Sequence, residues 1–357
     1  NFNRGLFDAD LKARYVEALV AEIGGTQDAP AHASADTIYF GGGTPSLLEP
    51  GEIARVIGAC RARFDVAAGA EVTMEANPES VTTERLAAYR AAGVNRVSFG
   101  VQSFRDEELV RLSRLHGADR ARSAMLEARD AGFDNVSLDL MMWLPGQSVG
   151  QWLESVDRAT AAAPDHMSLY MLEVYPNAPL RDEMARRQWS QAPDEDVASM
   201  YMAAMERLDA SGFEQYEISN VAKPGRTSRH NLKYWTDGEW LGFGCGAHST
   251  SGGARWKNLA DTEEYVARVA AGTSPAVDRR TLATAEKLGD ALFTGLRLSG
   301  GVDLPVMGLR YGVDIWQRYG ADLAPFVEEG LLLHEGPRLW LTRRGMLLAH
   351  EVMAVFV

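Results

Sequence analysis

Cysteine is almost absent from this sequence: Cys60 and Cys245 are the only two in 357 residues. That count excludes a disulfide-stapled scaffold, and a reducing, cytoplasmic setting is the default expectation. No run of about 18 apolar residues occurs, so no membrane span is indicated. The first residues, NFNRGLFDADLK, lack the apolar core of a secretory signal. Basic excess is missing too: 36 Lys and Arg against 49 Asp and Glu leave a net charge of −13. That balance argues against a nucleic-acid backbone as the main partner. With 46% hydrophobic residues the chain can bury a large core, and its length suggests two domains or one α/β barrel with an appendage.

Glycine is concentrated where it matters. Residues 37–45 read TIYFGGGTP. Thr37, Ile38, Tyr39 and Phe40 suit a buried strand, because branched and aromatic side chains pack well on a pleated surface. The three glycines after them let the backbone approach a ligand or adopt φ > 0, and Pro45 prevents the strand from continuing. Similar units follow. Strands are expected at 71–74, 96–101, 136–141, 167–174 and 213–218, with helices at about 8–23, 50–64, 80–92, 105–114, 149–163, 180–188 and 194–211. Strands alternating with helices imply βαβ units and a parallel sheet, whose sites lie at the C-terminal strand ends. Polar residues gather at those ends: Gly41 to Thr44, Glu75, Asn77, Gln102, Ser103, Asp139, Glu217, Ser219 and Asn220. Singly, each also reads as a cap or turn residue. Asp139 lies inside the apolar run 136–142, where a carboxylate needs either a structural hydrogen-bond partner or a ligand.

Beyond residue 220 the alternation stops. Residues 228–249, SRHNLKYWTDGEWLGFGCGAHS, read as a covering loop and tight turn. A helix is expected at 262–272, then further helices, then a β-hairpin around Gly336 and Pro337. Helices followed by a hairpin suggest a small winged-helix-like domain. It lacks a dense basic stripe, so packing or partner docking is expected of it rather than nucleic-acid binding. The expected divisions are 1–225, 226–275 and 276–357.

GGGTPSLL at 41–48, EANPES at 75–80, GVNRVSFGVQSF at 93–104, LHGAD at 115–119, NVSLDLMMWLPGQ at 135–147, YEISN at 216–220, HNLKYW at 230–235 and GFGCGAHS at 242–249 occur in this order. Together they resemble the radical S-adenosylmethionine proteins of the oxygen-independent coproporphyrinogen III oxidase family, nearest to its HemW-type haem chaperones. The resemblance covers essentially the whole chain. It implies an α/β fold: a partial (β/α)6 barrel with a C-terminal α+β winged-helix-like domain. It also implies roles. Gly42, Gly43 and Thr44 match the segment that lies along the methionine moiety of S-adenosylmethionine. Glu75, Gln102, Arg114 and Asp139 match positions that contact that cofactor's polar groups. A carboxylate suits ribose hydroxyls, and an arginine fork suits a carboxylate.

The family's 4Fe–4S cluster is held by CxxxCxxC, and no such motif is present. In the family a segment like NFNRGLF directly follows the third cysteine. The expectation is therefore that the first strand and the cluster loop lie upstream of Asn1, with a cluster-free relative as the alternative. Trp143 stands where a glycine is usual before LPGQ. Phe2 occupies the place of the oxidase branch's fourth cysteine, which favours the chaperone branch.

HNLKYW favours that branch too, through its resemblance to a signature associated with haem. His230 then reads as an iron ligand or as a histidine capping a turn. Asn231, Tyr234 and Trp235 complete the candidate haem-binding set, with Trp235 alternatively a core residue. Tyr234, Trp235 and Trp240 offer flat faces, and Arg229 and Lys233 offer charge for propionates. His248 is a second candidate. The resemblance thus implies haem as cargo, an unidentified recipient protein, and either haem trafficking or, alternatively, coproporphyrinogen III oxidation.

Overall fold

The computed structural model describes residues 8–175 and 178–357; Phe2 lies outside the described residues. The first helix, α1 (Ala9–Gly25), begins where Asp8 accepts the backbone N–H groups of Asp10 and Leu11, and it precedes β1 (Ser34–Phe40). Then follow α2 (Pro50–Arg63), β2 (Asp65–Ala76), α3 (Thr83–Ala92), β3 (Arg96–Gln102), α4 (Asp106–Arg111), α5 (Ala118–Asp130), β4 (Val136–Met142), α6 (Val149–Ala161) and β5 (His166–Met171). Helices α7 (Pro179–Arg187) and α8 (Asp194–Ala210) lead to β6 (Glu214–Glu217) and β7 (Asn220–Ala222). These strands make one curled sheet in the order β1-β2-β3-β4-β5-β7-β6. Strands β1 to β5 pair in parallel, and β7 is antiparallel to both its neighbours.

The two faces of this sheet differ in kind. The outer face carries Val72, Met74, Val97, Phe99, Leu138, Leu140, Met167 and Leu169, all buried under the helices. Among them α6 is anchored by Trp152, fully buried, whose Nε1 donates to Met200 O on α8 at 3.0 Å. The inner face is polar. Glu71, Thr73 and Glu75 on β2 alternate with the apolar set, and register puts Thr73 opposite Arg96, Glu75 opposite Ser98, Ser98 opposite Ser137, and Asp139 opposite Ser168. Parallel strands covered on both faces read as continuous apolar runs. Here the period is two, because one face packs on helices and the other lines the lumen of a half-barrel.

Several expectations change. The strand at 37–40 is an edge strand whose residues are half-buried except Phe40. The fifth strand stops at Met171. Helix α5 was not expected, because its buried stripe is mostly alanine (Ala121, Ala124, Met125, Ala128), a weak hydrophobic signal. The expected covering loop contains a helix, α9 (Arg229–Trp235), capped by Ser228. It continues into a small antiparallel sheet of β8 (His248–Ser251), β9 (Ala254–Asn258) and, beyond α10 (Thr262–Ala270), β10 (Ala276–Thr281). The C-terminal part is α11 (Thr284–Gly295), β11 (Val302–Asp303), α12 (Leu304–Tyr311), α13 (Ile315–Glu328), the hairpin β12 (Leu332–Glu335) and β13 (Arg338–Leu341), then α14 (Arg343–Leu347) and α15 (Ala349–Met353). Arg297, just after α11, ties this part to the barrel through an ion pair of 2.9 Å to Glu217, which is fully buried.

Candidate functional site

The glycine turn leaves β1 at the C-terminal rim of the sheet. Gly42 and Gly43 have φ of 77° and 33°, which side-chain-bearing residues rarely adopt. Gly41 is required for a different reason: a Cβ there would lie 2.5 Å from Tyr39 Cε1 and 3.1 Å from Glu75 Oε1. Tyr39 donates its hydroxyl to Glu75 Oε1 at 2.6 Å, and the Gly42 N–H also serves this carboxylate. Burial raises the Glu75 pKa above the ordinary range, with those two hydrogen bonds opposing it. Glu75 therefore holds the turn in place as well as facing the lumen.

Asp139 stands on the neighbouring wall. Ser98 Oγ donates to it at 3.3 Å, and Ser168 is a second partner. Asp139 is half-buried on the inner face, in register with Ser168. Burial, then the nearby charge of Glu75, push its pKa up to about 7. Gln102 sits at a bulge with φ of 70°, and its amide folds over Gly100, where a Cβ would come within 3.2 Å of Nε2. Its buried Oε1 has no hydrogen-bond partner. Asn77 links this place to the glycine turn by donating Nδ2 to Thr44 Oγ1 at 3.5 Å. Arg114 follows α4 within electrostatic reach of Glu79, whose pKa is held down chiefly by its hydrogen bond to His116 and only in small part by Arg114. Glu79 in turn meets Nδ1 of buried His116 at 3.0 Å, and His116 Nε2 meets Val101 O at the end of β3. Six of the seven residues read from the sequence thus fall along this rim, and Arg114 is reached only through Glu79.

Helix α9 closes the β1 side. Glu71 accepts the backbone N–H groups of Arg229 and His230, both at 3.0 Å, so a carboxylate meets the positive end of the helix. His230 stacks on Tyr39 with ring centroids 4.7 Å apart. Its Nδ1 lies 2.9 Å from Thr37 Oγ1 and its Nε2 2.9 Å from Tyr234 Oη. Burial drives its pKa down to about 4, so it is neutral with both nitrogens engaged, and iron ligation requires one bond to open. Tyr234 lies within the electrostatic reach of Glu75 and makes an edge contact with Trp240 at 4.7 Å. Trp235 belongs to the other side of α9, under the Arg297 guanidinium at 4.4 Å. The Asn231 N–H is taken by Ser228 Oγ. Lys233 and Arg229 are not available charges as expected: Asp36 pairs with them at 2.5 and 3.5 Å. His248 is exposed on β8.

Sequence reading missed Tyr39, Glu71, Arg96 and His166, which line the same lumen. The signal was present as period-two alternation in TIYF, EVTMEA, RVSFGVQ and HMSLYM.

Comparison with known proteins gives this lumen a context. Residues 13–159 match the Radical SAM superfamily and residues 282–348 the HemN C-terminal domain. Heme chaperone HemW from Bacillus subtilis is 33% identical over 100% of this chain and 94% of its own length. Heme chaperone HemW from Mycobacterium tuberculosis is 41% identical over 95% of this chain and 85% of its own. The chain belongs to the HemW family of radical S-adenosylmethionine proteins. The solved coproporphyrinogen III oxidase (HemN) from Escherichia coli shares the fold, with a TM-score of 0.84 at 21% identity, covering 100% of this chain and 86% of that one.

Membership in the superfamily implies S-adenosylmethionine and a 4Fe–4S cluster. The rim fits the first: a side-chain-free turn, two lumen carboxylates and the partnerless Gln102 Oε1 form an incomplete polar cradle. The cluster does not fit the described residues. Among them no group of three His, Cys, Asp or Glu could hold a metal. Cys60 is on the buried face of α2, and Cys245 is 3.5 Å from Thr262 Oγ1 in a separate apolar cluster.

Proposed function

We propose that this chain carries haem and passes it to a recipient protein, with S-adenosylmethionine held on the same rim. What carries the reading is likeness along nearly the whole chain to proteins named heme chaperone HemW. The cofactor supplies a reactive adenosyl group; the residues of this chain bind and orient it. Gly42, Gly43 and Thr44 offer backbone to its methionine part. Glu75, Gln102 and Asp139 accept from its hydroxyls and amino group, and Arg114 serves its carboxylate. Haem is assigned to α9, on the face that His230 and Tyr234 present next to the glycine turn through Tyr39 and Glu75, with Asn231 on the same helix; Trp235, on the other side of α9, serves as packing rather than as a haem face. A cytoplasmic location and an unidentified recipient protein complete the proposal; no helix among the described residues is long and apolar enough to cross a membrane.

Haem titration followed by absorbance tests it, on wild type and on His230→Ala with Tyr234→Ala. Loss of binding in the double variant, with intact secondary structure, is expected. Robust anaerobic turnover of coproporphyrinogen III by the wild type overturns the reading in favour of the oxidase.

A further inference from the structure

Arg96 opens β3 on the inner face, directly opposite Thr73 of β2. It is 2% exposed, and its Nε has no hydrogen-bond partner. No carboxylate among the described residues reaches ion-pair distance of its guanidinium. A buried cation without a contact partner is rare, since leaving water uncompensated is costly. The polar groups that feel its charge are Tyr39, Asp139, His166, Tyr216 and His230. Each of them is already engaged elsewhere. Tyr39 donates to Glu75, and Asp139 accepts from Ser98. His166 bridges Ser137 and Tyr216, both at 2.8 Å, and His230 bridges Thr37 and Tyr234. The Thr73 hydroxyl and Asn220 Oδ1, on strands lining the same lumen, are also buried without partners. Meanwhile the surface cations beside α9 are taken by Asp36.

We propose that Arg96 is a carboxylate-binding residue on the lumen wall, whose planar fork receives an acid group of the ligand that enters the half-barrel. A guanidinium presents parallel N–H donors that match two carboxylate oxygens, and a low-dielectric wall strengthens such a contact. For the haem reading above, on which this last step rests, the acid group is a propionate, and Arg96 replaces Arg229 and Lys233 as its anchor. S-adenosylmethionine is not the ligand meant here.

The test uses the full chain as wild type, Arg96→Gln and Arg96→Lys, with circular dichroism to check folding. Sodium propionate, against sodium chloride at equal ionic strength, is expected to raise the melting midpoint of wild type and not of Arg96→Gln. Haem affinity is expected to fall about ten- to a hundredfold in Arg96→Gln. Arg96→Lys, which keeps the charge but loses the fork, is expected to fall between the two. Haem dimethyl ester should bind wild type and Arg96→Gln alike, and S-adenosylmethionine affinity should stay within about twofold. Equal stabilisation of wild type and Arg96→Gln by propionate overturns the site. So does a loss of S-adenosylmethionine binding with haem binding retained. A propionate effect that depends on Arg96, in a wild type that binds no haem, upholds the carboxylate site and overturns only the haem reading.

Discussion

Replacing Asp139 by asparagine should remove most of one component of this protein's pH dependence. The carboxyl is held at a pKa of about 7, against an ordinary 3.8, by burial and by Glu75. A folded-state value raised above the unfolded one contributes stability that is fully present below about pH 4. It is lost as the pH rises through about 7, because the native state keeps a proton that the unfolded chain has already released. Between pH 5 and pH 8 the native state holds that proton over about two pH units, so wild type loses about 2–3 kcal/mol from this residue. Asparagine keeps an acceptor for Ser98 and Ser168 but does not titrate. The assay is urea unfolding followed by tryptophan fluorescence at pH values from 5 to 8 for both proteins. At an m-value of roughly 2–3 kcal/mol per molar, the variant should gain about 1 M in midpoint relative to wild type as the pH rises across that range. Curves that stay parallel within about 0.5 kcal/mol would refute the assignment of a raised pKa to this carboxyl.

Gly41→Ala forces a Cβ to 2.5 Å from the Tyr39 ring. The expected cost is about 1–3 kcal/mol in unfolding free energy, together with weaker S-adenosylmethionine binding; removing the ring with Tyr39→Ala should relieve part of the stability loss, and a neutral Gly41→Ala contradicts the geometry. Arg297→Met leaves Glu217 buried and unpaired, so a loss of about 3–5 kcal/mol is expected at neutral pH. That loss should shrink in acid, where Glu217, whose pKa burial already raises, takes up a proton. Adding Glu217→Gln should recover most of it, and equal losses in the single and double variants would show that the ion pair does not join the two parts.

Much of this protein is legible in one dimension. The order of strands and helices, the glycine turn after Phe40, the C-terminal hairpin and the family motifs depend on local propensity and on residue types close together in the chain. Residues such as Glu75 and Asp139 were found because strand ends share one rim in any parallel sheet. Helix α5 and the short α9 escaped because alanine and mixed polar sequences carry little helical contrast. What the tertiary structure alone decided is which polar group meets which. Asp36 and Lys233 are 197 positions apart yet in contact, and Glu71 meets Arg229 and His230, which lie 158 and 159 positions further along the chain. Those pairings withdraw Lys233, Arg229 and both nitrogens of His230 from the pool of available groups, and they leave Arg96 without a partner. A sequence shows how many cations and acceptors exist. Only closure of the half-barrel assigns them, because the low dielectric of a covered face makes every pairing, and every omission, energetically consequential.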